Sequence, residues 1–164
     1  MNYTIAVYTD DYKQPVIDLI LRIQTAEFNV AITAGDQPDL QDIPGYYQQD
    51  AGNFWVAILD NTVIGTIALS DIGNEQGALR KMFVHKDYRG KDYGVAQALL
   101  NTLLSWAKEK ELLEIFLGTT DKFHAAHRFY EKNHFQQVPV DSLPANFSRM
   151  AVDSIFYKHI LPVY

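Results

Sequence analysis

The 164-residue sequence contains no cysteine. Disulfides, thiolate nucleophiles and thiolate-bound metals are thereby excluded, while the redox compartment stays open. No apolar run approaches the roughly 18 residues of a membrane span, so no membrane association is expected. The first eight residues, Met1-Asn2-Tyr3-Thr4-Ile5-Ala6-Val7-Tyr8, alternate in polarity and lack the basic-then-apolar pattern of a secretory leader; a cytoplasmic location is the expectation. An excess of positive charge is missing as well. The formal charge of −6 argues against a nucleic-acid partner; it is compatible with a cationic substrate, though a modest negative charge also simply favours solubility. Internal repeats and low-complexity tracts are absent, and residues 1–164 read as one domain.

What is present is enough apolar material, 48% of residues, to bury a full core at this length. Strand and helix patterns alternate along the chain, which predicts an α+β (mixed α/β) fold. A first strand is expected from Tyr3 to Tyr8, then a helix opened by Pro15 with Val16, Leu19, Ile20 and Ile23 at helical spacing. A short helix is expected between the breakers around Pro38 and Pro44. Residues 54–59 and 62–69 flank Asp60-Asn61 and form the clearest hairpin in the chain. Ala78–Val84 is a further strand, Gly94–Lys110 an amphipathic helix, Glu114–Leu117 a short strand and Lys122–Lys132 another helix. Phe135–Val138 and Met150–Ile160 read as two late strands around a loop holding Pro139 and Pro144.

The segment from Val84 to Leu104 carries the most chemical information. An apolar strand end passes into a loop containing Arg89, Gly90, Lys91 and Gly94, and then into a helix. The start of a helix leaves backbone N–H groups without intrahelical partners and carries about half a positive charge, so it attracts an anion. The glycines let backbone approach a ligand and the two cations add formal charge. A Walker-type phosphate loop is excluded because Lys91 precedes Gly94 and no hydroxyl residue follows it. A dinucleotide fingerprint is excluded by the Gly90 to Gly94 interval. His85, His124, His127 and His134 lack metal-ligand spacing, and no metal is expected. Asp36, Asp39 and Asp42 stand at short helix starts, where they favour the helix dipole or greet a cation.

Lys91-Asp92-Tyr93-Gly94-Val95-Ala96, ahead of Ala98-Leu99-Leu100, resembles the Gln/Arg-x-x-Gly-x-Gly/Ala motif of the Gcn5-related N-acetyltransferases, with Lys91 standing where Gln or Arg is usual. The hairpin at 54–69 is similar to that family's second and third strands, and Arg128-Phe129-Tyr130-Glu131-Lys132-Asn133-His134-Phe135 resembles its late helix. In the latter, His134 replaces a glycine in the left-handed cap, a position that Asn133 or His134 tolerates; Phe123 stands where many members carry a coenzyme-contacting Asn. The resemblance implies a central curved mixed β-sheet flanked by about four helices and an acyl-CoA N-acyltransferase domain. It implies acetyl-CoA as acyl donor, with its pyrophosphate wrapped by Arg89, Gly90, Lys91, Asp92, Tyr93, Gly94, Val95 and Ala96 and its pantetheine arm paired with the backbone of Met82, Phe83 and Val84. A small-molecule or peptide amine is the implied acceptor, and a homodimer is compatible because many relatives pair.

The implied reaction is attack of an amine on a thioester. An alkylamine with pKa near 10 is almost wholly protonated at pH 7, so a base is expected. The glutamate that serves many members would stand at Ala78, and its absence leaves Glu75 or Glu27, acting through water, as candidates. A solvated turn carboxylate is the plainer account of Glu75, and Glu27 equally suits a cap or loop lining. An oxyanion donor is implied in a free backbone N–H near Phe83. Tyr130 is the expected proton donor to the departing thiolate; the alternative is an aromatic packed on the sheet. A non-catalytic acyl-CoA-binding or sensing module is the competing function, made more credible by Ala78.

Overall fold

The computed structural model describes residues 2–90, 92–121, 123–150 and 153–162. Strands β1 (Thr4–Val7), β2 (Asn53–Leu59), β3 (Thr62–Gly73), β4 (Gln76–Val84), β5 (Glu114–Thr119), β6 (Gln136–Val138) and β7 (Ile155–Ile160) form one sheet in the order β1-β2-β3-β4-β5-β7-β6. Every neighbouring pair is antiparallel except β4 and β5, which run parallel. The sheet is thus mixed, as the resemblance implies.

Two tight turns build its centre. Asp60 and Asn61 both take left-handed backbone conformations, φ 49° and 62°, as the expected two-residue hairpin requires. Asn74 and Glu75 do the same, φ 55° and 60°, so β3 continues to Gly73 and β4 starts at Gln76, beyond the limits read from sequence. The late strand is shorter than expected. Among its described residues Ile155–Ile160 are strand, and ahead of them Asp153 turns its carboxylate back to accept from the Met150 N–H at 3.3 Å; residues 151–152 lie outside the described residues.

Helix α1 (Lys13–Arg22) carries Pro15 in its first turn and ends in a π-helical turn over Ile23–Glu27. The single short helix expected near Pro38 is two separate turns, α2 (Pro38–Gln41) and α3 (Ile43–Tyr46). Asp42 leaves the helical region between them and caps α3, its carboxylate accepting from Gly45 N–H at 3.1 Å. Helices α4 (Val95–Glu109) and α5 (His124–Lys132) follow the amphipathic pattern. Among the described residues five α-helices therefore flank the sheet, two of them single turns.

Side-chain alternation along the strands sorts the core into layers. Leu79, Ile115, Leu117 and Tyr157 meet Leu99, Leu100 and Leu103 of α4 on one face. The opposite face is divided. Phe54, Val56 and Ala68 pack under α1–α3, whereas Ala78, Phe116 and Phe156 pack under the 139–154 segment through Phe147. Between those clusters runs β4. Lys81, φ 50°, and Met82 together oppose Ile67 in a bulge, which Thr66 fastens by donating its hydroxyl to the Lys81 carbonyl at 2.7 Å. Pairing of β4 with β5 ends at Ala78–Phe116, and Leu79–Val84 run on without a β5 partner. Among the described residues no helix is long and apolar enough to cross a membrane.

Candidate functional site

The divergence of β4 from β5 opens a slot in the middle of the sheet whose C-terminal end leads to α4. The His85 N–H donates to the Ile64 carbonyl at 2.8 Å, and strand alternation then turns the polar backbone groups of Val84 away from β3, toward the open edge. Arg89 Nε donates to the Val84 carbonyl at 2.8 Å from that side. Gly90, φ 104°, and Gly94, φ 66°, shape the loop, and a Cβ at Gly90 would meet nothing within 4 Å. Gly94 also serves as N-cap of α4 and has no side chain to satisfy the amides of the first turn. The site thus has open backbone, exposed Arg89 and Asp92, partly buried Tyr93 and Ala96, and buried Val95. Lys91 lies outside the described residues.

Tyr130 enters from α5 on the α4 side of the slot. It is 7% exposed, and its hydroxyl donates to Met82 Sδ at 3.7 Å, so it stands directly beside the unpaired stretch of β4. Burial, and then the fields of Asp153 and Tyr157, hold its phenol well above the usual tyrosine range. The end of α5 closes as the residue types suggest: His134 takes the left-handed position, φ 68°. Phe123 packs its ring edge-on against Phe28, centroids 4.4 Å apart, bridging the α1–α2 and β5–α5 connections.

The carboxylates expected from sequence are not brought together with Tyr130. Glu27 grips Arg89 through both oxygens, one of them 2.8 Å from Nη2, so each oxygen is already bonded to the guanidinium. Glu75 is exposed in the β3–β4 turn, separated from Met82 by roughly 20 Å of extended strand. Asp39 neutralises Lys81, Nζ–Oδ2 3.4 Å, and accepts from the Tyr47 hydroxyl at 2.6 Å; Asp36 instead closes a turn with Thr33. The nearby histidines are engaged otherwise: His127 Nε2 lies 2.7 Å from the Thr120 carbonyl. Two charged residues absent from the sequence reading do face the slot region. Arg80 projects from β4 next to the bulge, over the Phe147 ring at 4.6 Å. Asp153, just before β7, lies against Gly118 of β5, and burial raises its carboxyl above the usual range while Met150 N–H and Arg80 oppose that shift. Sequence offered no signal for either, since both acquire their setting from strands distant in the chain.

Comparison with known proteins agrees with this geometry. The family model described as Acetyltransferase (GNAT) family matches residues 17–135. The chain is 42% identical over 106 residues to N-acetylaspartate synthetase of Xenopus tropicalis, covering 62% of this chain and 38% of that protein. It is 34% identical over 115 residues to streptothricin acetyltransferase A of Bacillus subtilis strain 168, covering 70% of this chain and 65% of that protein. The chain therefore spans less than two thirds of the length of these curated relatives. The crystal structure of a GNAT-family acetyltransferase from Staphylococcus aureus Mu50 superposes with a TM-score of 0.93 at 38% identity, covering 98% of this chain and all of that one. A PaiA N-acetyltransferase from Thermoplasma acidophilum in complex with coenzyme A shares the fold at 17% identity, TM-score 0.72, over 98% of this chain and 100% of that one. On sequence, fold and the split between β4 and β5, the chain belongs to the GNAT acetyltransferase family.

Proposed function

We propose that this protein transfers an acetyl group from acetyl-CoA to a primary amine by direct attack on the thioester. The observation that carries the reading is the slot between β4 and β5, ending at the glycine-capped start of α4. The donor's pyrophosphate lies on the loop of Arg89, Gly90, Lys91, Asp92, Tyr93, Gly94, Val95 and Ala96, where amides and the helix dipole favour an anion. Its pantetheine arm runs along the open edge of Met82, Phe83 and Val84, completing the ladder that β5 abandons. A backbone N–H on that edge supports the developing oxyanion. Tyr130, kept protonated by burial, donates to the departing sulfur.

One observation favours a second reading, a module that binds acyl-CoA without catalysis. Ala78 is fully buried among Phe116, Phe147 and Phe156, so the place where many relatives carry a glutamate base is sealed with carbon. A single experiment separates the two. Acetyl-CoA at a hundredfold excess over Kd stabilises either protein by about 2.7 kcal/mol, but only the enzyme releases free thiol faster when a panel of amines is added. The expected result is stabilisation together with amine-dependent thiol release. The relatives' names differ in what they point to, N-acetylaspartate as a product in one case and streptothricin as the acetylated compound in the other, and so do not select an acceptor here.

A further inference from the structure

On the face opposite α4, β4 crosses the boundary between two apolar clusters, one beneath α1–α3 and one beneath the 139–154 segment. Arg80 and Lys81 stand at that boundary, and their charges are treated differently. Lys81 is neutralised by Asp39 and also donates to Gln37. Arg80 donates to the Ser148 carbonyl and covers the Phe147 ring, yet among the described residues no carboxylate lies within ion-pair distance of it. Its partial burial is costly enough to push its pKa down. A half-buried guanidinium with donors left over beyond the Ser148 carbonyl suits an anion.

The complementary charge stands nearby. Asp153 belongs to no ion pair among the described residues, accepts from Met150 N–H at 3.3 Å, and leans on β5 where Gly118 leaves room. A Cβ on Gly118 would fall 2.5 Å from Asp153 Oδ2, so glycine is what lets the carboxylate sit there. Its field reaches both Arg80 and the Tyr130 hydroxyl. A cation and an anion outside any ion pair among the described residues, each within the other's field, and the buried phenol thus converge where β4 and β5 part.

We infer that Arg80 and Asp153 form a receptor for a zwitterion, so that the acetyl acceptor is a free amino acid, its carboxylate held by Arg80 and its ammonium by Asp153. The inference rests on the acetyl-transfer reading and adds the acceptor class and the base. Asp153 takes one proton from the ammonium. The neutral amine nitrogen then bonds to the acetyl carbonyl carbon, the C–S bond breaks, and the sulfur takes a proton from Tyr130. The new amide nitrogen loses its second proton, which returns through water to Tyr130, while Asp153 gives up the first to solvent. Amino acid and acetyl-CoA become N-acetyl amino acid, CoA thiol and one proton.

The test is a set of initial rates by thiol release, with free amino acids, the same amino acids as carboxamides, and aliphatic diamines as acceptors. At least one free amino acid is expected to exceed its carboxamide in kcat/KM by about 100-fold, the scale of a buried charged hydrogen bond. Arg80→Met is expected to bring that ratio to within about threefold, and Arg80→Lys to restore part of it, with stabilisation by acetyl-CoA unchanged in both. Asp153→Asn is expected to lower kcat by about 100-fold or more. Carboxamides or diamines turned over as well as every amino acid, or a preference that survives Arg80→Met, would overturn the proposal while leaving acetyl transfer intact. Acetyl-CoA that neither stabilises the protein nor yields thiol with any amine would remove the acetyl-transfer reading itself, and this proposal with it.

Discussion

Tyr130 illustrates how much a single side chain gains from its surroundings. Any phenol is protonated near pH 7, and burial beside Met82 raises this one further, so the proton is in place when a departing thiolate comes within reach. Because a thiolate is already a tolerable leaving group, Tyr130→Phe is expected to lower kcat by only about 10- to 100-fold with the KM for acetyl-CoA nearly unchanged, as steady-state kinetics would read. An unchanged kcat would remove Tyr130 from the reaction. Gly118 offers a second test at this scale. Gly118→Ala places a methyl group where the Asp153 carboxylate lies and within 3.0 Å of the Phe156 ring, so kcat is expected to fall about 10-fold or more while acetyl-CoA binding persists. Tyr130 was legible because its neighbours on one helix form a local pattern. Asp153 was not, because its environment depends on how the 139–154 segment returns across β5.

At the scale of elements, β4 and α4 do the positioning. The bulge at Lys81 forces a non-glycine residue into left-handed backbone, and the ammonium it turns inward is held by Asp39 of α2, both side chains being under a fifth exposed. Asp39→Ala is expected to cost about 2–3 kcal/mol, since it strands the Lys81 charge and the Tyr47 hydroxyl. Adding Lys81→Met should recover much of that loss, and urea unfolding of the single and double variants would check both. Gly94 sets the entry to α4 at φ 66°. Gly94→Ala is expected to cost about 1 kcal/mol and to raise the KM for acetyl-CoA, because the strained cap disturbs the amides on which we propose the donor binds. The helix and the hairpins were visible in sequence through period and turn chemistry. The bulge and the splay were not, since a run such as Leu79-Arg80-Lys81-Met82-Phe83 carries no mark of which neighbour it will lose.

For the molecule as a whole, the tyrosines dominate the alkaline limit. Tyr8, Tyr47, Tyr130 and Tyr157 are all buried, and burial raises each phenol, Tyr157 to about 12 and the others further, with Asp10, Asp39, Asp153 and Glu131 respectively adding to the shift. The unfolded chain ionises near pH 10 while the folded chain does not, so their contribution is intact below about pH 10 and is lost above it, by up to about 1.4 kcal/mol per pH unit for each tyrosine. Lys81, lowered by burial, works in the opposite sense, but one lysine does not offset four phenols. The urea midpoint is expected to hold steady from pH 8 to 9.5 and to fall clearly by pH 11; a flat profile would contradict the burial of these groups. Charge likewise reads differently at this scale: −6 overall is compatible with a cationic acceptor, whereas Arg80 sets a cation at the slot. Sequence alone determined most of the order of strands and helices and the glycine-containing loop ahead of α4, and it marked Tyr130 as a candidate, because each is written in contiguous residues with a recognisable period or pattern. Tertiary structure decided the β4–β5 split, the pairing of Glu27 with Arg89, the isolation of Glu75, and the meeting of Arg80 with Asp153. Those depend on strand order and on which charges the fold brings within reach of one another, quantities that no local spacing encodes.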